Sequence, residues 1–333
     1  MLYDWLQRVW YANAISGVVL RPLGWLFGAL VHVRSALYRK GWLGSVAVAR
    51  PVIVVGNLTT GGTGKTPLVL WLAEQLRAKG LRPGIVLRGY GGSARTPRRV
   101  DAGAAAIDVG DEAALLAARS RCPVAVGADR VAAARLLEAE VDVILADDGL
   151  QHLRLKRDLE IVVIDGVRRF GNRRLLPAGP LREPLSRLES VDAAVVNGGT
   201  NGVGGLKMSL AGDHAVALIG GERRALTAFA PGPVHAVAAI GNPERFFTML
   251  REHGLNLVPH PLPDHHAYAR TDLEFGDSLP ILMTQKDAVK CARFAERRQW
   301  YVPVDAVFSD EDAQQLLNMV LDAVAKSDVV SPR

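Results

Sequence analysis

The chain predicts an α/β protein, a P-loop-like parallel-sheet sandwich with a second, smaller α/β lobe and an amphipathic helical segment at its N-terminus. Three observations carry that expectation. An apolar run at 51–55 leads through a glycine-rich loop into a helix-forming stretch from 67, the order of a strand, a phosphate cradle and a helix. A second apolar run, 141–146, ends in Asp147-Asp148. Strand and helix patterns alternate on both sides of a glycine cluster at 198–205. At 333 residues the chain can bury a substantial core and make two domains. The expected divisions are 1–43, 44–200 and 201–330, the last two joined by a glycine-rich hinge.

Residues 1–43 hold Trp5, Trp10, Trp25 and Trp42, four of the six tryptophans, and a single acidic residue, Asp4. Two uncharged runs, 9–20 and 22–33, are separated by Arg21, and each is shorter than the about twenty residues a bilayer span needs. Asp4 and the Arg21-Pro22 break fit a signal peptide poorly. Tryptophan, tyrosine and arginine among apolar helix formers describe a segment lying at a membrane surface. An N-terminal helix pair packed on the core is the competing reading.

The loop Gly56-Asn57-Leu58-Thr59-Thr60-Gly61-Gly62-Thr63-Gly64-Lys65-Thr66 follows the first strand. Gly61, Gly62, Thr63 and Gly64 would wrap oxyanions with backbone N–H groups, Lys65 would reach the β- and γ-phosphates, and Thr66 would ligate Mg²⁺. Thr59 stands where the usual pattern has glycine, and Thr60 stands where partition-type ATPases carry a lysine.

Strand 84–87 exits through Arg88-Gly89-Tyr90-Gly91-Gly92, suited to a polar ligand at the sheet edge or to a mobile surface loop. Asp111 and Glu112 open a helix over 113–120. They could serve as cap and dipole partners, or hold Mg²⁺ and accept a proton from an attacking hydroxyl. A short strand, 123–126, and a helix, 129–140, precede the Asp147-Asp148 strand, which has the form of a buried strand delivering carboxylates to a metal. Gln151 and His152 follow, then strands at 159–164 and 191–196 around the arginine-bearing loop 171–184, which includes Arg182.

In the second half, strands are expected at 207–219, 234–240 and 301–308, a helix from Pro243, and a terminal helix over 311–326. Asp264-His265-His266 falls in a loop, a pair that is structural unless the loop folds back over the phosphate site.

Hydrophobic content of 49% with 22% charged residues describes a globular chain, not a disordered one. The net charge of +6 suggests an anionic partner. Basic motifs interleaved with aromatics and zinc-finger spacing are both missing, so no nucleic acid is expected. Cys122 and Cys291 fit no metal spacing and suit a reducing compartment.

Taken in order, GNLTTGGTGKTP, RGYGG, GDE, ADDGLQH, LLPAGPLREP, IGNPERF, PDHHAY and TQKDAVK resemble the tetraacyldisaccharide 4′-kinase family over nearly the whole chain. The resemblance implies two α/β lobes joined by a β-ribbon, and an ATP- and Mg²⁺-dependent kinase on the cytoplasmic face of the bacterial inner membrane. Such an enzyme phosphorylates the 4′-hydroxyl of a tetraacyl disaccharide 1-phosphate to give lipid IV-A, with no obligatory protein partner. Position by position, it implies Lys65 and Thr66 at phosphate and Mg²⁺, Asp111 as catalytic carboxylate, and Glu112, Asp147 and Asp148 with the metal. His265 would couple to Asp111, with Asp264 behind it. Tyr90, Gln151, His152 and Arg182 would lie toward the sugar. A membrane ATPase of the partition or transport type, and a lipid- or nucleic-acid-binding module with a vestigial loop, remain as rival readings of the residues.

Overall fold

A computed structural model describes residues 2–12, 15–199 and 204–330. Two sheets organise the chain. The larger has nine strands in the order Asp305–Phe308, Leu206–Ala211, Ala193–Asn197, Leu159–Asp165, Val52–Gly56, Val143–Asp147, Pro83–Leu87, Val124–Val126 and Arg98–Val100. Its seven inner strands are parallel, and both edge strands run antiparallel to their neighbours. Buried on both faces, the central strands are almost continuously apolar, as parallel strands covered by helices must be. The helices Lys65–Ala78, Asp111–Arg119 and Asp310–Val330 contribute to the core on one face, and Arg130–Arg135 with the segments around Leu150 and Leu181 close the other.

The smaller sheet has six strands, ordered Arg223–Ala225, His214–Ala217, Gln299–Val302, Ile281–Thr284, Pro233–Ala238 and Asn256–Pro261. Phe246, Phe247 and Leu250 of helix Pro243–Glu252 fill one of its faces.

The stretches expected as single strands at 207–219 and 301–308 each divide. Leu206–Ala211 pairs in the large sheet and His214–Ala217 in the small one, while Gln299–Val302 and Asp305–Phe308 make the same crossing in reverse. The two chain passages run antiparallel to each other, so a two-stranded ribbon connects the sheets. At the crossing a side chain on Gly212 would lie 2.6 Å from the Pro303 carbonyl oxygen, which explains the glycine there. The lobes thus meet at 212–213 and 303–304, not at the glycine cluster 198–205, of which 200–203 lie outside the described residues. Strands Leu206–Ala211 and Asp305–Phe308 belong to the large sheet and the terminal helix packs in its core, so 201–330 is not one lobe. The helix expected over 129–140 ends at Arg135 and continues as turns.

The N-terminal segment forms helix Leu2–Tyr11, a 3-10 turn Ile15–Leu20 and helix Arg21–Arg39. Gly24 and Gly28 seat the long helix on loop 175–178: an added methyl at Gly24 would lie 2.9 Å from Ala178 Cβ, and one at Gly28 2.7 Å from Leu175 Cδ1. Trp10 Nε1 donates to the Pro177 carbonyl at 2.9 Å. Yet Leu23, Trp25, Leu26, Leu30 and Val33 remain exposed. Among the described residues, no helix is long and apolar enough to cross a membrane.

Candidate active site

Val52–Gly56 is buried throughout and lies between Leu159–Asp165 and Val143–Asp147, so the loop it feeds opens at the centre of the sheet's C-terminal edge. Gly61 and Gly64 have φ of 100° and 98°, backbone that only glycine adopts freely. A side chain at Gly64 would also lie 2.3 Å from Asn197 Nδ2. Two buried asparagines brace the turn: Asn57 Nδ2 donates to the Gly61 carbonyl at 3.2 Å, and Asn197 Nδ2 to that of Thr63 at 2.8 Å. Thr59 is buried and bridges antiparallel to Leu181, so this position is anchored to the neighbouring loop. Helix Lys65–Ala78 begins directly after Gly64, aiming its positive end at the loop.

Asp147 ends the adjacent strand. Its Oδ2 accepts from Thr66 Oγ1 at 3.4 Å, while Oδ1 is buried with no hydrogen-bond partner. Burial first, then the negative charges of Glu112 and Asp148 against the pull of Lys65, raise its pKa to about 7. Asp148 has the opposite balance. Burial would raise it, but Lys65 Nζ at 3.4 Å and Arg182 NH1 at 2.9 Å from both oxygens hold it well below the usual carboxylate range. Arg130, buried, donates to the Asp148 carbonyl at 3.2 Å.

Gln151 spends both ends on the protein, donating to the Asn57 carbonyl at 3.2 Å and accepting from Arg182 at 3.4 Å. His152 is pushed down to about 4 by burial and by Arg130 and Arg157, which keeps it neutral at pH 7.

Asp111 and Glu112 begin helix Asp111–Arg119 after Gly110, whose φ of 92° lets the chain turn into the helix. From the second lobe, loop 263–268 and helix Gln285–Cys291 meet them. His265 Nδ1 lies 3.3 Å and Lys290 Nζ 3.0 Å from Asp111 Oδ2. Lys286 Nζ lies 3.4 Å from Glu112 Oε1 and 3.6 Å from Asp264 Oδ1. Burial works to raise the Asp111 pKa, but His265 and the two lysines outweigh it and keep the carboxyl below its ordinary value. The Tyr90 ring meets His265 edge-on with centroids 5.0 Å apart.

One cavity of about 990 Å³ joins these groups. The phosphate loop, Asp147, Asp148 and Arg182 line one part of it, and Tyr90, Glu112, Asp264, His265 and Lys286 another. Phe27, Leu30, Val31 and Arg34 of the N-terminal helix supply a third, apolar wall with one cation. Of the expected site residues, Asp111 alone stands behind that lining, contacting it through His265. Sequence reasoning passed over Lys286, Lys290, Arg130 and Asn197. The lysines did leave a signal, since their spacing of four in TQKDAVK puts both on one face of a helix capped by Thr284.

This arrangement, a braced anion loop beside a buried carboxylate and opposite a second acidic pair, is that of a phosphoryl-transfer site. The family model described as tetraacyldisaccharide-1-P 4′-kinase matches residues 16–323. The chain belongs to that family. A tetraacyldisaccharide 4′-kinase of Nitrosococcus oceani is 50% identical over 324 residues, covering 96% of each chain. The corresponding protein of Methylobacillus flagellatus is 48% identical over 317 residues, 94% of this chain and 95% of its own. Among solved structures, the "apo" form of LpxK from Aquifex aeolicus in complex with ATP superposes with a TM-score of 0.77 at 27% identity, covering 93% of this chain and 100% of that one. As a member of the 4′-kinase family the protein is a phosphotransferase, which sets the partition-type ATPase and the vestigial-loop module aside.

Proposed function

We propose that this 4′-kinase family member moves the γ-phosphate of ATP to the 4′-hydroxyl of a tetraacyl disaccharide 1-phosphate, giving lipid IV-A, at the cytoplasmic face of the inner membrane. The observation that carries the reading is one cavity in which a phosphate loop, the facing carboxylates of Glu112 and Asp264 and an exposed apolar helix share one space. A soluble small-molecule kinase has no use for the third wall.

A divalent cation fits beside the loop. Asp147 offers a buried oxygen without a hydrogen-bond partner, and the Thr66 hydroxyl sits against its other oxygen. Mg²⁺ commonly takes one or two protein oxygens and completes its shell with phosphate and water, so this small donor set suffices. When bound, the ion would neutralise charge on the transferring phosphate. Glu112 and Asp148 would act at longer range, because each already pairs with a cation of the protein.

The remaining chemistry falls to the chain's own side chains. Lys65, anchored by Asp148, would bind the terminal phosphates, with the loop N–H groups fixing their position. Asp111, held ionised and joined to the cavity through His265, would draw off the proton of the sugar hydroxyl by way of that ring as its oxygen attacks phosphorus. Tyr90 and Arg182 would orient the sugar, and Arg34 would face the glycolipid's own anionic groups. Incubating the protein with ATP and the disaccharide 1-phosphate in detergent, followed by mass spectrometry, tests the assignment. One added phosphate on the glycolipid is expected, and ATP consumed with none transferred rejects it.

A further inference from the structure

A buried ionic cluster lies behind the part of the cavity that Gln151, His152 and Arg182 line. Glu160 is buried on strand Leu159–Asp165, in register with Val54 of the strand that feeds the phosphate loop. Arg187 NH2 donates to both of its oxygens, at 2.5 and 2.6 Å, and Arg157 NH1 donates to Oε1 at 2.8 Å. Neither guanidinium has a nitrogen to spare. Arg187 gives Nε to Glu183 at 3.1 Å and NH1 to the Ser190 hydroxyl at 2.7 Å. Arg157 spends the rest of its fork on the carbonyls of Leu150, His152 and Leu155.

The two branches end at different halves of one wall. Arg157 closes the turn that presents Gln151 and His152, and Glu183 is the chain neighbour of Arg182. All four of those residues line the cavity, whereas Glu160, Arg157 and Arg187 do not. Two carboxylates and two guanidiniums cancel in charge, and apolar side chains of the same volume usually stabilise a core as well as such a cluster does. What the ions add is direction, because a planar guanidinium with every nitrogen engaged cannot turn. We propose that Glu160 is a positioning residue for the glycolipid. From the parallel sheet it fixes His152 through Arg157, and Arg182 through Arg187 and Glu183, so that the two groups keep one spacing across the sugar. The inference rests on His152 and Arg182 facing the sugar, a reading that the same experiment tests separately.

The test is steady-state kinetics of the full-length protein with ATP and the disaccharide 1-phosphate in mixed micelles. Glu160→Gln keeps the shape of the side chain and removes its charge. It should lower kcat/KM for the glycolipid about tenfold and leave KM for ATP within about twofold of the wild type. The deciding measurement is a cycle. In a His152→Ala, Arg182→Ala background the groups that Glu160 positions are gone, so adding Glu160→Gln should cost no more than about twofold in kcat/KM for the glycolipid. A further tenfold loss there overturns the proposal, and so does an equal rise in both KM values in the single variant, which would make Glu160 a general support of the fold. Where Glu160→Gln does not fold, Arg187→Lys keeps the charge but loses the fork that joins Glu160 to Glu183, and its cost should disappear in an Arg182→Ala background; an undiminished cost there overturns the proposal in the same way. If His152→Ala with Arg182→Ala leaves kcat/KM for the glycolipid unchanged, the sugar-side reading itself fails and takes the proposal with it.

Discussion

The two walls of the reaction cavity are built in different ways. The nucleotide wall comes from the ends of adjacent strands, Val52–Gly56 and Val143–Asp147, and its working groups are backbone turns and buried side chains braced by Asn57 and Asn197. The facing wall is gathered from three distant stretches, Asp111 and Glu112 in one lobe and Asp264-His265 and Lys286–Lys290 in the other, and is joined by ion pairs across the interface. Chemistry held by backbone geometry is rigid in one lobe. Chemistry held by side chains of two lobes depends on how those lobes meet.

Substitutions can probe that contrast. The largest effect is expected on the facing wall: Asp111→Asn removes the carboxylate proposed to drive proton removal and should lower kcat by about 10²–10⁴ with ATP binding intact. Steady-state kinetics with a parallel nucleotide-binding titration checks this, and equal loss of both would make Asp111 structural. On the nucleotide wall, Lys65→Ala removes the cation proposed to sit beside the transferring phosphate and should cost about 10²–10³ in kcat. It also strips Asp148 of one of its two cations, so nucleotide affinity should fall as well. If Asp111→Asn weakened ATP and Lys65→Ala did not, the division between the walls would be wrong.

A smaller perturbation sits where the lobes touch. Gly241, at the end of a second-lobe strand, lies against the tip of the phosphate loop, and a methyl there would come 2.6 Å from the Gly62 nitrogen. The Arg168 guanidinium, itself paired with buried Asp165, donates to the Gly241 carbonyl at 2.7 Å. Gly241→Ala should therefore push the lobes apart at the loop. About 1 kcal/mol of misfit corresponds to a rise of about fivefold in KM for ATP. An unchanged KM would mean that the loop does not use this contact.

The same contrast accounts for what could be read from sequence. Gly61, Gly64, Lys65 and Thr66 follow a strand within a dozen residues, and Asp147 ends another, so local pattern suffices for both. The Asp111–His265 pairing spans 154 positions, and only the family resemblance, not spacing, anticipated it. Lys286 and Lys290 were passed over because nothing local distinguishes a lysine meeting a second lobe from one meeting water. The lobe boundary was misplaced for a related reason. The glycines at 198–205 resemble a hinge more strongly than Gly212 does, yet the ribbon crosses at Gly212, where close approach to Pro303 and not flexibility requires glycine.

The N-terminal helix offers the mildest test and the sharpest separation of walls. Its residues divide three ways: Gly24 and Gly28 are seated on loop 175–178, Phe27, Val31 and Arg34 line the cavity, and Trp25 and Leu26 are exposed, at 74% and 59%. Two such side chains left in water suit a surface that meets lipid. Trp25→Glu with Leu26→Glu touches neither the seat nor the cavity. The double variant should melt at the wild-type temperature, bind ATP as before, and release vesicles containing anionic phospholipid in a flotation assay. With glycolipid in mixed micelles its KM for that substrate should rise about tenfold, the equivalent of about 1.4 kcal/mol of lost surface binding, while kcat holds. A lower melting temperature with unchanged vesicle binding would instead make these residues part of the fold, because only a core-packing helix destabilises the protein when its exposed face is charged.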